Sequence, residues 1–245
     1  MEKTKDMIVL EQLSKSYGRK KAVDGIDLRV REGEMLALLG VNGAGKTTTI
    51  KMLCCLSTPD GGHAMINGFD TVKDKDKVKA LVGISTQDTA IARNLTVEEN
   101  LSFMAGITLD ADKKTVKERV EQIIAEFKLE EVRRTKSSKL SGGWQRRLSI
   151  AMAIIGDPKV ILLDEPTLGL DVLARRELWK AIEKIKKEHT IILTTHYMEE
   201  AEALADRIAI MIAGRIVMTG TLEELEEKTG RKGLENVFVS VAEGV

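Results

Sequence analysis

The sequence predicts an α/β fold in which a parallel sheet core carries an N-terminal antiparallel β subdomain and an inserted helical subdomain. Short alternating strands are expected at 8–30, followed by a hairpin at 64–67, and this alternation favours antiparallel pairing. Helical spacing of apolar residues then prevails from about 88 to 155. We interpret this helical stretch as an insertion within a single α/β domain that spans residues 1–245.

After the insertion the chain alternates again between strands and helices, a pattern typical of a parallel sheet. The strands are expected at 159–163, 190–194 and 207–212, and the helices at 172–187 and 197–204. Two sequences of the form Thr-x-Glu-Glu, at 96–99 and 221–224, are capping boxes that predict helix starts. The second capping box opens a C-terminal extension of about 221–245.

A glycine-rich loop, Gly-Val-Asn-Gly-Ala-Gly-Lys-Thr from Gly40 to Thr47, follows the short apolar run Glu34–Leu39, which predicts a buried strand. Its glycines allow backbone N–H groups to turn inward and to approach a phosphate closely. A helix is expected from Thr47 to Leu56, and the positive charge of its N-terminus also favours an anion. A chance glycine turn would not require this strand before and helix after, so we predict a phosphate-binding P-loop.

The side chains of the loop predict ATP and Mg²⁺ as ligands of a P-loop NTPase. Lys46 is expected to reach the β- and γ-phosphates, Thr47 to hold Mg²⁺, and Thr48 to contact the α-phosphate. The residues expected at the nucleotide are Gly40, Val41, Asn42, Gly43, Ala44, Gly45, Lys46, Thr47 and Thr48.

Two carboxylates, Asp164 and Glu165, end a short apolar run and should project from the carboxyl edge of a buried strand, where ligands bind in open α/β sheets. We assign Asp164 to the Mg²⁺ shell and Glu165 to accepting a proton from the attacking water. The alternative is a helix N-cap pair, which the following Pro166 would suit. The presence of a P-loop favours catalysis.

A third motif, Leu-Ser-Gly-Gly at 140–143, makes the chain resemble the ATP-binding subunits of ATP-binding cassette (ABC) transporters from about residue 8 to residue 225. Other P-loop ATPases lack this signature. The resemblance implies that Ser141, Gly142 and Gly143 contact the γ-phosphate of an ATP molecule held by the opposite subunit. A helix expected at about 144–155, with Ser141 as its N-cap, would direct its dipole at that phosphate.

The resemblance also assigns roles to single residues. Tyr17 would stack on adenine with Val23 beside it, and Gln87 would contact Mg²⁺ and the attacking water. Asp171 would communicate across the dimer, and His196 would bind the γ-phosphate and orient the catalytic water. Alternatives remain for three of them: Tyr17 as an edge-strand aromatic, Gln87 as a polar loop residue and His196 as a helix cap.

Three positions depart from the family pattern. Val41 and Thr86 stand where the family usually has proline, so some loop rigidity is lost without touching a catalytic group. Trp144 occupies the fifth signature position, often glutamine or methionine, and its expected place is either the subunit junction or a shield over the nucleotide.

Composition limits the partners and the compartment. Lys and Arg number 38, as do Asp and Glu, so no strong field favours nucleic acid or an anionic lipid surface. The adjacent pair Cys54 and Cys55 has neither disulfide nor metal-site spacing, which fits a reducing cytoplasm. The charged stretch 1–6 lacks the apolar segment of a signal peptide, and no apolar run approaches the ~20 residues that span a bilayer.

A membrane path would therefore belong to another polypeptide. The resemblance implies two partners: a multispanning permease, and a second copy of this chain or a homologous ATPase subunit. Docking of the permease is expected at 88–103, where Ile91, Ala92, Leu95 and Phe103 are apolar, although these side chains would also suit the core of the helical subdomain. The protein would then lie on the cytoplasmic face of the membrane.

The function predicted is ATP-driven transport, in the direction of export. The sequences around Trp144, around His196 and at 234–238 resemble subunits of drug, antibiotic or glycoconjugate exporters. One alternative is a soluble cassette ATPase of a non-transport assembly, for example in iron–sulfur cluster building. The other is a binding-only scaffold, which the presence of Lys46, Glu165 and His196 disfavours.

Overall fold

The computed structural model describes residues 5–244, so most of the predicted charged N-terminal stretch 1–6 lies outside the described part. The strands are β1 (Asp6–Tyr17), β2 (Lys20–Arg31), β3 (Met35–Leu39), β4 (Gly61–Ile66), β5 (Phe69–Asp70), β6 (Val82–Ser85), β7 (Val160–Asp164), β8 (Thr190–Thr195), β9 (Arg207–Ile212) and β10 (Arg215–Gly220). The helices are α1 (Lys46–Leu53), α2 (Lys75–Leu81), α3 (Val97–Thr108), α4 (Lys113–Glu126), α5 (Gly142–Ile154), α6 (Val172–Ile185), α7 (Met198–Leu204), α8 (Leu222–Thr229) and α9 (Leu234–Glu243).

The larger sheet has the strand order β10-β9-β3-β8-β7-β6. Strands β9, β3, β8, β7 and β6 run parallel, whereas β10 pairs antiparallel with β9. Every residue of β3, β7 and β8 is buried, as in strands covered on both faces, and each strand contains a run of at least three apolar residues. The predicted parallel core is confirmed.

The smaller sheet has the strand order β2-β1-β4-β5 and is antiparallel throughout. The predicted N-terminal antiparallel sheet is confirmed, with β1 and β2 each 12 residues long. The loop between β1 and β2 brings Tyr17 and Lys20 to the same edge as the glycine-rich loop, so this sheet forms one wall of the site.

The helical region contains α3, α4 and α5, which pack around a common apolar cluster that continues onto one face of the large sheet. The capping box at the start of α3 is present, with the Glu99 N–H donating to Thr96 Oγ1 at 3.2 Å and the Thr96 N–H donating to Glu99 Oε2 at 2.7 Å. The second predicted capping box, between Thr221 and Glu224, starts α8. Within residues 5–244, no helix combines the length and the hydropathy needed to cross a bilayer.

Candidate functional site

The carboxyl ends of β3, β7 and β8 lie side by side and place three motifs at one edge of the sheet. Leu39 pairs with Thr195 and Asp164 pairs with Thr194, so the residues that follow these strands emerge together. The Gly40 N–H donates to Thr195 O at 3.2 Å and fixes the start of the glycine-rich loop against β8. Ligands bind at such an edge in open α/β sheets.

The glycine-rich loop has the backbone that its composition predicts. Gly45 has a φ of 114°, a conformation that only glycine adopts without strain. A Cβ on Gly45 would lie 2.3 Å from Ala22 O, and one on Gly40 would lie 2.4 Å from Met211 O, so the loop is pressed against its neighbours. Helix α1 begins at Lys46, one residue earlier than predicted, and ends at Leu53, three residues earlier.

Lys46 is the cation of the site and is only 5% exposed. Its Nζ donates to Gly40 O at 2.7 Å and to Val41 O at 3.3 Å, and it lies 3.0 Å from Glu165 Oε1. The ammonium therefore has three oxygen neighbours, two of them on its own loop. Phosphate oxygens carry more charge than these carbonyls and can replace them as acceptors.

Glu165 is held between a cation and an imidazole. Its Oε1 faces Lys46, and its Oε2 lies 2.7 Å from His196 Nδ1. The backbone at Glu165 has a φ of 50°, the left-handed region that a non-glycine residue seldom occupies. Its N–H is anchored to both oxygens of Thr194, each at 3.1 Å, which maintains this conformation. The side chain is thereby aimed away from the strand and into the site.

Asp164 lies beside the hydroxyl of Thr47 at the end of β7. Its Oδ1 accepts from Thr47 Oγ1 at 3.2 Å and from Thr194 Oγ1 at 2.6 Å, and the residue is 2% exposed. A carboxylate beside a hydroxyl fits Mg²⁺, which prefers one or two carboxylates supplemented by substrate phosphates. Among residues 5–244 there is no cluster of three His, Cys, Asp or Glu side chains that could hold a metal ion.

A cavity of about 380 Å³ opens in front of these groups. Its lining comprises Tyr17, Lys20, Ala22, Asn42, Gly43, Gly45, Lys46, Thr47, Thr48, Gln87, Glu165 and Leu168. Tyr17 is 52% exposed on the wall formed by the small sheet, which leaves a ring face free for an adenine. Val23, expected beside Tyr17, is fully buried in the core instead, because it points to the inner face of β2.

Sequence reasoning missed Lys20, Ala22 and Leu168 as cavity residues. Lys20 Nζ would lie 3.8 Å from a Cβ on Gly43, so a second ammonium faces the phosphate loop. The hairpin between β1 and β2 had no motif to mark it, and only the packing of the two sheets brings Lys20 to the loop. Gly40, Val41 and Ala44, predicted at the nucleotide, are not part of the lining, and neither are Asp164 and His196.

The signature residues lie away from this cavity. Ser141, Gly142 and Gly143 line no part of it, and Ser141 and Gly142 are exposed. Ser141 is the N-cap residue of α5 as predicted, but its hydroxyl makes no capping bond and stays available to another partner. Asp171 also lies outside the cavity and caps α6, where its Oδ1 accepts from the Leu173 and Ala174 N–H groups at 2.9 Å each.

Trp144 packs on its own helical subdomain. Its ring contacts the apolar cluster around α3, α4 and α5, and the guanidinium of Arg147 stacks over it at 4.7 Å from the centroid. It does not line the cavity, so within one chain it does not shield the nucleotide.

The predicted docking segment is partly exposed. Ile91 packs against the core of the subdomain and Leu95 is half-buried, whereas Ala92 is exposed and Phe103 is 59% exposed. The core alternative is therefore wrong for Phe103. Buried Asn100 accepts from the Ala92 N–H at 2.8 Å and holds the backbone of the segment in place.

Comparison with known proteins agrees with these motifs. The ABC transporter family model matches residues 23–168, more than half of the chain. The chain is 38% identical over 232 residues to the daunorubicin resistance ATP-binding protein DrrA3 of Streptomyces coeruleorubidus, covering 94% of this chain and 73% of that protein. It is 42% identical over 225 residues to ABC transporter A family member 9 of Dictyostelium discoideum, covering 91% of this chain but only 26% of that protein.

Solved structures have the same fold. An ATP-binding subunit of an ABC transporter superposes with a TM-score of 0.86 at 29% identity, covering 96% of this chain and 99% of that one. A dimeric post-hydrolysis state of an ATP-binding cassette bound to ADP and Pi superposes with a TM-score of 0.80 at 26% identity, covering 88% of this chain and 99% of the other. The chain therefore belongs to the ABC transporter family, as an ATP-binding cassette with ATPase activity.

Proposed function

We propose that this chain is the ATPase subunit of an exporter whose membrane-spanning part is a separate polypeptide. The observation that carries the proposal is the position of Glu165, buried at the back of the nucleotide cavity between Lys46 and His196. A carboxylate in that position is a general base next to a phosphate-binding cation.

Hydrolysis follows from the arrangement of the chain's own groups. Lys46 and the N-terminus of α1 bind the β- and γ-phosphates, and Tyr17 stacks on the base. Glu165 Oε2 accepts the proton of the attacking water, and His196 holds that carboxylate in place through the 2.7 Å contact. Thr47, Asp164 and Gln87 would hold Mg²⁺, which would supply positive charge to the phosphates.

Two chains would complete each site. The exposed Ser141 and Gly142 do not line the nucleotide cavity of their own chain, and a Cβ on Gly142 would meet nothing within 4 Å, so this loop is free to approach a partner. The N-terminus of α5 would then donate to the γ-phosphate of ATP held by the partner. The second chain would be another copy or a homologous ATPase subunit, and Asp171 would lie near the shared face.

A groove between β6, α3 and α5 is the proposed docking site of the membrane subunit. It has a volume of about 520 Å³ and is lined mainly by apolar side chains, among them Ile84, Met104, Ile107 and Met152. Its rim includes Ala90, three residues from Gln87, so a helix seated there would lie beside the nucleotide cavity. We propose that a short apolar helix of the permease occupies it and holds this chain at the cytoplasmic face.

The exporter assignment rests on DrrA3, whose name describes drug resistance and of which this chain spans 73%. Relatives named as transporters disfavour the alternative of a non-transport cassette assembly.

Co-purification from solubilised membranes tests the proposed partner. We expect a multispanning protein to accompany the tagged chain, and Ile107→Glu, at a side chain that is 64% exposed in the groove, to release it without lowering intrinsic ATPase activity. Val239→Glu on α9 is the matched control, since Val239 is 47% exposed and lies outside the groove. Equal retention of the Ile107 variant would place the docking surface elsewhere.

A further inference from the structure

Arg146 is a buried cation on α5 that binds the backbone of the Gln87 loop. It is 5% exposed, and within the described residues no carboxylate lies within ion-pair distance of it. One terminal nitrogen donates to Thr86 O and the other to Gln87 O, both at 2.6 Å. Burial lowers the pKa of its guanidinium, so the two carbonyls hold a charge that is costly to bury.

This contact joins the Gln87 loop, which lies at the nucleotide cavity, to α5, which begins at the signature residues. Gln87 lines the nucleotide cavity, and its main-chain carbonyl accepts a hydrogen bond from Arg146. Arg146 lies in the second turn of α5, whose N-terminus carries Ser141 and Gly142. The helix is rigid over this single turn, so a displacement of the loop backbone is passed directly to the signature residues.

The start of α5 is also held by hydrogen bonds from a second side chain, Gln145. Gln145 Nε2 donates to Ser137 O at 3.2 Å and to Leu140 O at 3.1 Å, which fixes the residues that precede the helix. Arg146 therefore lies on a helix start that is already hydrogen-bonded to the residues that precede it. Hydrogen bonds from charged donors are stronger than those from neutral donors.

We infer that Arg146 is a positioning residue that couples the Gln87 loop to the signature helix, so that nucleotide in the cavity sets the orientation of Ser141–Gly143. The inference rests on the proposed function, because it concerns how one cavity affects the face offered to the partner chain. Arg146 touches no substrate; it acts through the carbonyls of Thr86 and Gln87.

A purely structural role is the competing explanation, and Arg119 provides a matched control. Its Nε donates to Ile155 O at 3.0 Å and one terminal nitrogen donates to Ile154 O at 3.1 Å. Arg119 thus also holds two adjacent backbone carbonyls, but at the far end of α5 from the signature. Loss of Arg119 removes comparable support without touching the Gln87 loop.

The test uses the full chain in a Trp179→Phe background. The chain has two tryptophans, so Trp144 beside the signature then reports alone by fluorescence. Arg146→Lys and Arg146→Met are compared with Arg119→Lys and Arg119→Met for kcat, for the Kd of ATP and for the ATP-induced change in Trp144 emission. The lysine variant keeps the buried charge but loses the planar pair of donor nitrogens. It therefore tests the same contact if the methionine variant does not fold.

For both Arg146 variants we expect kcat to fall at least about tenfold, the equivalent of one charge-assisted bond. The Kd of ATP should stay within about twofold, and the Trp144 signal should be lost, whereas the Arg119 variants should retain both activity and signal. Arg146→Lys with the kcat and signal of the background protein would overturn the inference. So would equal losses in the Arg119 variants, or a parallel loss of ATP affinity.

The proposed function fails by a different result. A wild-type chain that hydrolyses no ATP would refute it before any Arg146 variant is compared. Normal hydrolysis in the background together with unaffected Arg146 variants refutes the coupling alone.

Discussion

Lys46 and Glu165 form a buried ion pair, with 3.0 Å between Nζ and Oε1 and side chains that are 5% and 6% exposed. The pair joins the phosphate-binding loop to the end of β7, two segments more than a hundred residues apart. In the absence of nucleotide each charge neutralises the other, and a phosphate that enters the loop competes for the same ammonium. The pair therefore holds the Glu165 carboxylate next to the ammonium that binds the phosphates.

Removal of this ammonium should abolish hydrolysis. Lys46→Ala takes away the charge that faces the β/γ-phosphates, and we expect phosphate release to fall to background. Lys51→Ala, at an exposed lysine on the same helix, is the control and should hydrolyse ATP at the wild-type rate. An unchanged rate in purified Lys46→Ala protein would refute the role of the loop.

Glu165→Gln should trap a dimer. The substitution keeps the shape of the side chain but removes the base, whose contribution to the rate is typically about 10²–10⁴-fold. ATP should then remain bound between two chains, and size-exclusion chromatography with ATP should show a dimer where the wild type is mainly monomeric.

A second substitution locates the interface of that dimer. Adding Ser141→Arg should abolish it by placing a bulky side chain against the partner's phosphate, whereas Ser138→Arg, at an exposed serine three residues earlier, should not. A Glu165→Gln protein that stays monomeric, or a dimer indifferent to Ser141→Arg, would contradict the shared site.

Tyr17 should bind the base through its ring. Stacking of a base on an aromatic side chain contributes about 1–3 kcal/mol, so Tyr17→Ala should raise the Kd of ATP by roughly 5- to 150-fold. Tyr17→Phe keeps the ring and should bind ATP as the wild type does. Calorimetric titration separates the two, and equal losses would show that the hydroxyl matters instead.

Glu200 should make stability depend on pH. It is fully buried on α7, where its Oε1 accepts from Trp179 Nε1 at 3.1 Å, and burial raises its pKa above the usual 4.5. The hydrogen bond from Trp179 lowers this pKa in part, and the Glu165 carboxylate raises it further. A raised pKa means that the folded state holds this proton more tightly, so its stabilisation is complete below pH 4.5 and is lost as the pH rises through the folded-state pKa.

Glu200→Gln removes this titration. We expect the free energy of unfolding of the variant, relative to wild type, to increase as the pH rises above 4.5. Glu199→Gln is the control, because its side chain is 81% exposed on the same helix. Denaturant unfolding across the pH range gives the difference, and parallel curves for wild type and Glu200→Gln would show that Glu200 does not titrate in this way.

Several elements could not be predicted from the sequence. Strand β6 has only four residues and includes Gly83, and it is a strand because β7 lies beside it. The C-terminal extension was expected to contain one helix, but Gly230 adopts a left-handed conformation with φ 66° and divides it into α8 and α9. Short edge segments and helix breaks depend on contacts that local sequence does not contain.

The local chemistry of the site was determined by the sequence alone, because each motif is contiguous. The P-loop, the carboxylates at 164–165 and the capping boxes bring their groups together through neighbouring peptide bonds. The structure places Lys46, Thr47, Asp164, Glu165 and His196 together as those motifs predict.

Which distant groups meet depends on the tertiary structure. Val23 is buried in the core, and Lys20 lies close to the phosphate loop. Arg146 donates a hydrogen bond to the Gln87 carbonyl. Each of these contacts involves residues from separate elements. Their positions depend on strand register and on how the two sheets and α5 pack. The sequence shows that Arg146 is a charged residue on α5, but not which groups it contacts. Burial requires that such a charge has hydrogen-bond acceptors, and the fold determines that these are the carbonyls of Thr86 and Gln87.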